Sequence, residues 1–171
     1  MGKTTLARGI RRKLESSGIA FRVLDPNGTE GGDDPEVIDP DEWMQDRITL
    51  RDARGLFLDD GDDYLPPRPA RGTPWRKLYL RHAHLDVDVL VTARRPQSLS
   101  PMLWSACRYF YLFWSSSVDF TGLERLREIV PRVPHPSAPY RFVRVDLLFG
   151  WIRHGIVRRD GSYILGEPFR V

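Results

Sequence analysis

The chain is poor in lysine: Lys3, Lys13 and Lys77 are its only lysines, and arginine supplies the rest of its 26 basic residues. It has one cysteine, Cys107, which excludes an internal disulfide framework and fits a reducing compartment. Long hydrophobic runs are missing too. The longest strictly apolar stretches, such as Tyr109 to Trp114, cover a handful of residues, whereas a membrane-spanning helix needs about 20. The opening Met-Gly-Lys-Thr-Thr shows no apolar core of a signal peptide, so a soluble, cytoplasmic protein with no membrane-spanning segment is expected. There is no internal repeat and no low-complexity segment.

What is present is ordinary globular composition, 41% hydrophobic and 29% charged over 171 residues, which argues against disorder. A chain of this length buries roughly two-thirds of its unfolded surface, so a single domain over 1–171 is expected. The net charge of +3 is small, but it is unevenly spread. Residues 25–63 are rich in Asp and Glu, while Arg68, Arg71, Arg76, Lys77, Arg81, Arg94 and Arg95 crowd the segment from 68 to 95. That segment is either a face for a polyanion or a solvated helix face.

Periodicity gives an alternation of helices and strands. Leu6, Ala7, Ile10 and Leu14 recur at spacings of three and four, predicting a helix over 4–17 that stops at Gly18. Strands are expected at 19–24, 55–59, 87–92 and 109–114. Helix starts are expected at Asp39-Pro40-Asp41-Glu42, Thr73-Pro74 and Ser100-Pro101, each a capping side chain followed by proline. Such alternation implies a parallel sheet covered on both faces. Residues 140–148 and 151–157 alternate in strand fashion, and Asp160-Gly161 is a hairpin turn, so an antiparallel appendage is expected over 140–171.

Three segments carry chemistry. Gly2-Lys3-Thr4-Thr5 ahead of an amphipathic helix matches the second half of the Walker A phosphate loop. Backbone amides there hold phosphates, Lys3 would neutralise the β- and γ-phosphates of ATP, and the Thr4 hydroxyl would ligate Mg²⁺. Leu56-Phe57-Leu58-Asp59-Asp60, an apolar strand ending in paired acids, has the form of a Walker B motif, in which Asp59 would hold Mg²⁺ through water. The polar strand end Thr92-Ala93-Arg94-Arg95-Pro96 is the third. His82 and His84, two apart on a helix, point to different faces and make no zinc pair. Trp104 and Cys107, three apart, read as core.

On these features, together with Leu24-Asp25-Pro26 and Arg81-His82, positions 1 to about 147 resemble the HerA/FtsK superfamily of P-loop motors. That superfamily includes viral DNA-packaging ATPases and zonula-occludens-toxin-like phage proteins. The resemblance implies a three-layer α/β RecA-like core with strand order 5-1-4-3-2. The strands read here correspond to 2, 3, 4 and 5, with the first, phosphate-loop strand missing. A central strand contributes several buried side chains at roughly 1.5–3 kcal/mol each, so the natural polypeptide is expected to carry roughly 10 to 40 more residues upstream. The upstream part of the phosphate nest would come with them, so the chain as written is expected to bind ATP poorly and the extended protein well.

The resemblance also implies roles. Asp60 stands where many such ATPases carry a Glu that orients the attacking water, and Arg94 stands where most carry a Gln that senses the γ-phosphate. An arginine from a neighbouring subunit completes the site, with Arg76 and Arg81 as candidates. The expected function is an ATP-hydrolysing motor, a homo-oligomeric ring that translocates or packages double-stranded DNA, in the host cytoplasm if viral. Two alternatives stand beside it. One is a nucleotide-binding assembly or toxin-like protein with little or no hydrolysis, which the Asp60 and Arg94 departures favour. The other is a small P-loop kinase, which the acidic pair after the strand disfavours.

Overall fold

The computed structural model describes residues 2–39, 41–45, 54–95, 98–113 and 139–170, the side chains of 81–84 and 104 excepted. The fold is mixed α/β: a three-stranded parallel sheet and a four-stranded antiparallel sheet. Contacts divide the chain into two units, Met1–Gly9 with Cys107–Val171, and Ile10–Ala106.

Helix α1, Lys3–Glu15, spans both units. Gly18 ends it as the spacing predicts. At φ 90, a conformation glycine adopts at no steric cost, its N–H reaches the Glu15 carbonyl at 2.9 Å while Ile19 N–H reaches Leu14 at 3.1 Å, the paired bonds of a Schellman stop.

In the unit Ile10–Ala106, β1 (Phe21–Leu24), β2 (Gly55–Leu58) and β3 (Asp88–Val91) are parallel in the order β1-β2-β3. Every residue of β2 is buried, which is why its sequence is a continuous apolar run with no alternation. Helix α2, Pro74–Leu85, follows the Thr73 cap, whose Oγ1 accepts the Arg76 N–H at 3.4 Å. The Asp39 cap likewise accepts from the Asp41 and Glu42 amides at 2.8 and 3.4 Å, and residues 41–45 are helical. Leu24, Leu56 and Leu58 pack with Trp75, Leu78 and Tyr79 of α2, with Trp43 and Met44, with Leu99, and with Leu103 of helix α3 (Pro101–Ala106). Each such side chain contributes about 1.5–3 kcal/mol.

The other unit holds β4 (Tyr109–Leu112), β5 (Arg141–Asp146), β6 (Trp151–Val157) and β7 (Tyr163–Leu165), antiparallel in that order. The β6–β7 turn is the predicted one: Asp160 accepts the Ser162 amide and hydroxyl at 2.9 and 2.7 Å, and Gly161 sits at φ 87. The Ser162 bonds hold the Asp160 carboxyl below its ordinary value. One expectation changes. β4 reads in sequence as a further strand of the parallel sheet, but it pairs antiparallel with β5, Phe110 opposite Val145. A short apolar run carries no signal of its partner's direction. β3 and β4 thus lie in different sheets.

Candidate functional site

Three polar side chains line up where the parallel strands end. The register sets Leu24, Leu58 and Val91 side by side, so the next residues, Asp25, Asp59 and Thr92, form a row at the carboxyl edge, where open α/β sheets bind ligands. All three are buried, at 0%, 2% and 6% exposure. Buried carboxylates need donors, and here they have them. Asp25 accepts the Asn27 amide at 2.9 Å and the Glu30 amide at 2.5 Å. Asp59 Oδ1 accepts the Thr92 hydroxyl at 2.5 Å.

The same Thr92 Oγ1 accepts the Asp60 N–H at 2.8 Å, so one hydroxyl ties both acids of the β2 end to β3. Asp60 is held in the left-handed region, φ 44 and ψ 46, which costs a non-glycine residue on the order of 1–2 kcal/mol. Its carboxylate Oδ2 accepts from Asn27 Nδ2 at 3.2 Å. The chain then enters the 3₁₀ turn Gly61–Asp63, where a β-carbon on Gly61 would lie 2.7 Å from Leu65 Cδ1. Tyr64 closes the cluster, its hydroxyl donating to the Leu24 carbonyl at 3.4 Å. Burial first, then the carboxylates of Asp59, Asp25 and Asp60, holds that phenol above its ordinary value.

Arg94 lies next to this row but is engaged by the 3₁₀ turn. Its guanidinium donates to Asp63 Oδ1 and comes within 3.8 Å of Asp62, while Asp62 also accepts the Arg94 and Arg95 amides at 3.0 and 3.2 Å. Asp63 and then Asp62 raise the Arg94 pKa. Asn27, Asp62 and Asp63 are absent from the sequence reading of the site. The one signal for Asn27 is the turn sequence Asp25-Pro26-Asn27-Gly28, which invites the Asx turn that it makes.

Gly2, Lys3, Thr4 and Thr5 belong to the other unit, at the start of α1. Gly2 adopts φ 109, and a β-carbon there would sit 3.0 Å from the Phe113 ring, so the position takes glycine on both counts. The Leu6 N–H bonds to the Gly2 carbonyl at 2.9 Å, and the first turn carries no acidic residue to offset the positive helix end. The helix is seated backbone to backbone: a β-carbon on Gly9 would fall 1.8 Å from the Gly161 carbonyl oxygen.

Of the two arginines considered for action on a neighbouring subunit, Arg76 is half-buried and donates to the Pro69 carbonyl at 3.4 Å, with the Met102 sulfur at 3.8 Å. The side chain of Arg81 lies outside the described residues, as do the side chains of His82, His84 and Trp104, and all of Pro96 and Trp114. Among the described residues, no group of three or more His, Cys, Asp and Glu could enclose a metal ion, and no helix is long and apolar enough to cross a membrane. The first is compatible with Mg²⁺, which binds through one or two protein oxygens and substrate phosphates rather than a protein cage. The buried, hydrogen-bonded Asp59 carboxylate is a hard donor of that kind, and the Thr4 hydroxyl of the other unit is by itself another.

No family model and no curated protein matches the chain significantly. Solved structures do. The genome-packaging NTPase B204 from Sulfolobus turreted icosahedral virus 2 in complex with ATP-γS aligns with a TM-score of 0.69, 98% of this chain and 92% of that one, at 11% identity. Its complex with AMPPCP gives 0.68, with the same coverage and identity. B204 from Sulfolobus turreted icosahedral virus, the DNA-packaging ATPase, gives 0.65 over 90% of each chain at 14% identity. At these identities the likeness establishes the fold: this chain folds as the viral genome-packaging NTPase B204 does.

Proposed function

We propose that the protein is a P-loop ATPase of the HerA/FtsK type that drives double-stranded DNA, as an oligomeric ring. The observation that carries the reading is the β2 end: buried Asp59, hydrogen-bonded by Thr92 of the adjacent strand, followed by Asp60 in a constrained backbone, in a fold solved with bound ATP analogues. Lys3 neutralises the β- and γ-phosphates, and the amides of Gly2 to Thr5 hold them. Mg²⁺, held by Thr4 and through water by Asp59, would supply charge neutralisation on the phosphate oxygens.

Asp60 accepts a proton from the attacking water as its oxygen bonds to the γ-phosphorus and the bond to the ADP oxygen breaks. With Oδ2 occupied by Asn27, Oδ1 is the oxygen for that water. Arg94, a permanent cation, senses the γ-phosphate, exchanging its Asp63 contact for it. The trans arginine is Arg76 or Arg81. The Pro69 contact of Arg76 favours Arg81.

The test is phosphate release from Mg·ATP by the natural full-length protein. Wild type should turn over, and both Lys3→Ala and Asp59→Asn should abolish release while circular dichroism stays unchanged. Release surviving Asp59→Asn sinks the assignment. A second reading, a nucleotide-binding assembly protein with little hydrolysis, is favoured by the engagement of Arg94 with Asp62 and Asp63. Tight ATP binding with no release would select it.

A further inference from the structure

One face of the antiparallel sheet gathers arginine and aromatic side chains that the ATPase chemistry does not use. The register sets Tyr109 opposite Asp146 and Asp146 opposite Trp151, and Tyr111 opposite Arg144 and Arg144 opposite Arg153. Directly paired antiparallel residues share a face, so these residues lie together, with Arg108 and Phe149 flanking them at the same end. Residues 107–113 and 139–170 hold seven arginines against three carboxylates.

The arginines are arranged on rings. Arg108 lies 4.9 Å from the Tyr109 centroid and 5.5 Å from that of Phe149, Arg144 lies 5.1 Å from Tyr109, and Arg170 lies 4.3 Å from Trp151. A ring fixes the guanidinium plane without neutralising its charge. Neutralisation is scarce. Asp146 is the one carboxylate among those face residues, and it is 5% exposed, accepts the Leu148 and Phe149 amides, and reaches Arg108 only at 3.9 Å. Among the described residues no carboxylate pairs with Arg144, Arg153 or Arg170; Arg144 and Arg153 lie behind the open end, their Nε atoms buried without hydrogen-bond partners, and Arg144 also bonds to the Tyr111 side chain. The end itself is open: the Arg108 side chain is 51% exposed, Tyr109 39%, Phe149 51% and Trp151 38%.

We propose that this end of the β4–β7 sheet binds the phosphate backbone of duplex DNA, with Arg108 and Arg170 as its outermost contacts. Charge complementarity selects a polyanion, and oriented guanidiniums match phosphate oxygens. A single strand is disfavoured because base stacking needs open ring faces, and here guanidiniums occupy them. The choice of DNA rests on the motor reading above; the unneutralised arginine face does not.

The experiment is fluorescence anisotropy of a short labelled duplex of random sequence with the full-length protein, without nucleotide, over a salt series. Wild type should bind. Arg108→Gln with Arg170→Gln should weaken binding at low salt by at least tenfold and lower the salt slope by about 2, and Arg170→Gln alone by about 1. Arg68→Gln with Arg71→Gln, at the exposed arginines of the other unit, should change neither. Unchanged binding in the double variant, loss only in the Arg68/Arg71 variant, absent wild-type binding, or preference for a single strand would each overturn the proposal. Near-ultraviolet circular dichroism checks that the exposed substitutions leave packing intact. Duplex binding that persists where ATP turnover is missing would remove the ATPase reading and leave this surface standing.

Discussion

The carboxyl edge of the parallel sheet and the open end of the antiparallel sheet handle charge in opposite ways. At the first, Asp25 and Asp59 are buried and each acid is given donors: two amides for Asp25, a hydroxyl for Asp59, an amide side chain for half-buried Asp60. At the second, Arg108 and Arg170 are exposed and laid on aromatic rings with few counter-charges. Burial with exact partners fixes a group's position, as chemistry on a phosphate requires. Exposure on rings keeps charge available for a ligand that arrives in many registers.

The largest expected break between the two regions comes from Asp60→Asn. It should lower ATP turnover by about 10²–10⁴-fold, the loss expected for a group that takes a proton in the transition state, and leave duplex affinity unchanged. Steady-state phosphate release and anisotropy on one preparation check both halves.

Next is Phe142→Ala. Phe142 is 1% exposed, meets Tyr111, Phe113 and Tyr163 at 5.7, 5.6 and 6.4 Å, and its ring covers Gly155, where a β-carbon would lie 2.2 Å away. Truncation should cost about 3–5 kcal/mol by urea denaturation and should weaken DNA binding along with stability. Weakened turnover alone would mean that this sheet does not carry the arginine face.

Cys107 sharpens the picture of the antiparallel unit. Burial pushes its thiol up to about 11 from an ordinary 9.0, so near pH 8 its thiolate is about a hundredfold scarcer and alkylation slower to match. The folded chain keeps its proton where the unfolded chain has lost it, so this thiol's contribution to stability is present below the unfolded value and fades as pH rises toward 11. Alkylation at the rate of a free cysteine would show that the thiol is not buried.

The smallest effect is Thr92→Val. The hydroxyl donates to Asp59 and accepts from Asp60, so its loss should cost about 1–3 kcal/mol and lower turnover, while Thr92→Ser should restore both. A neutral Thr92→Val would mean that the two acids are positioned by something else.

Local chemistry was readable in advance and long-range pairing was not. The caps at Asp39 and Thr73, the stop at Gly18 and the turn at Asp160-Gly161 depend on residues a few positions apart, and each forms as its side chains dictate. The Gly2 to Thr5 and Asp59-Asp60 segments are equally local in sequence, and the roles proposed for them await the phosphate-release experiment. The contacts Asn27–Asp60, Arg94–Asp63 and Thr92–Asp59 span about thirty residues each, and only the parallel register brings them together. The arginine face was hidden more fully. Tyr109, Arg144, Trp151 and Arg170 lie on different elements, and a one-residue slip in register would scatter them to opposite sides. The run from Arg68 to Arg95, conspicuous in sequence, has part of its charge spent internally, on Asp62 and Asp63 by Arg94.

The central claim is that a nucleotide-hydrolysing carboxylate row serves DNA movement, and DNA-dependence of ATP turnover tests it most directly. Phosphate release by the full-length protein with Mg·ATP should rise on adding duplex DNA and vanish in Asp59→Asn. Release that is indifferent to duplex DNA, or that persists without the Asp59 carboxylate, would contradict it.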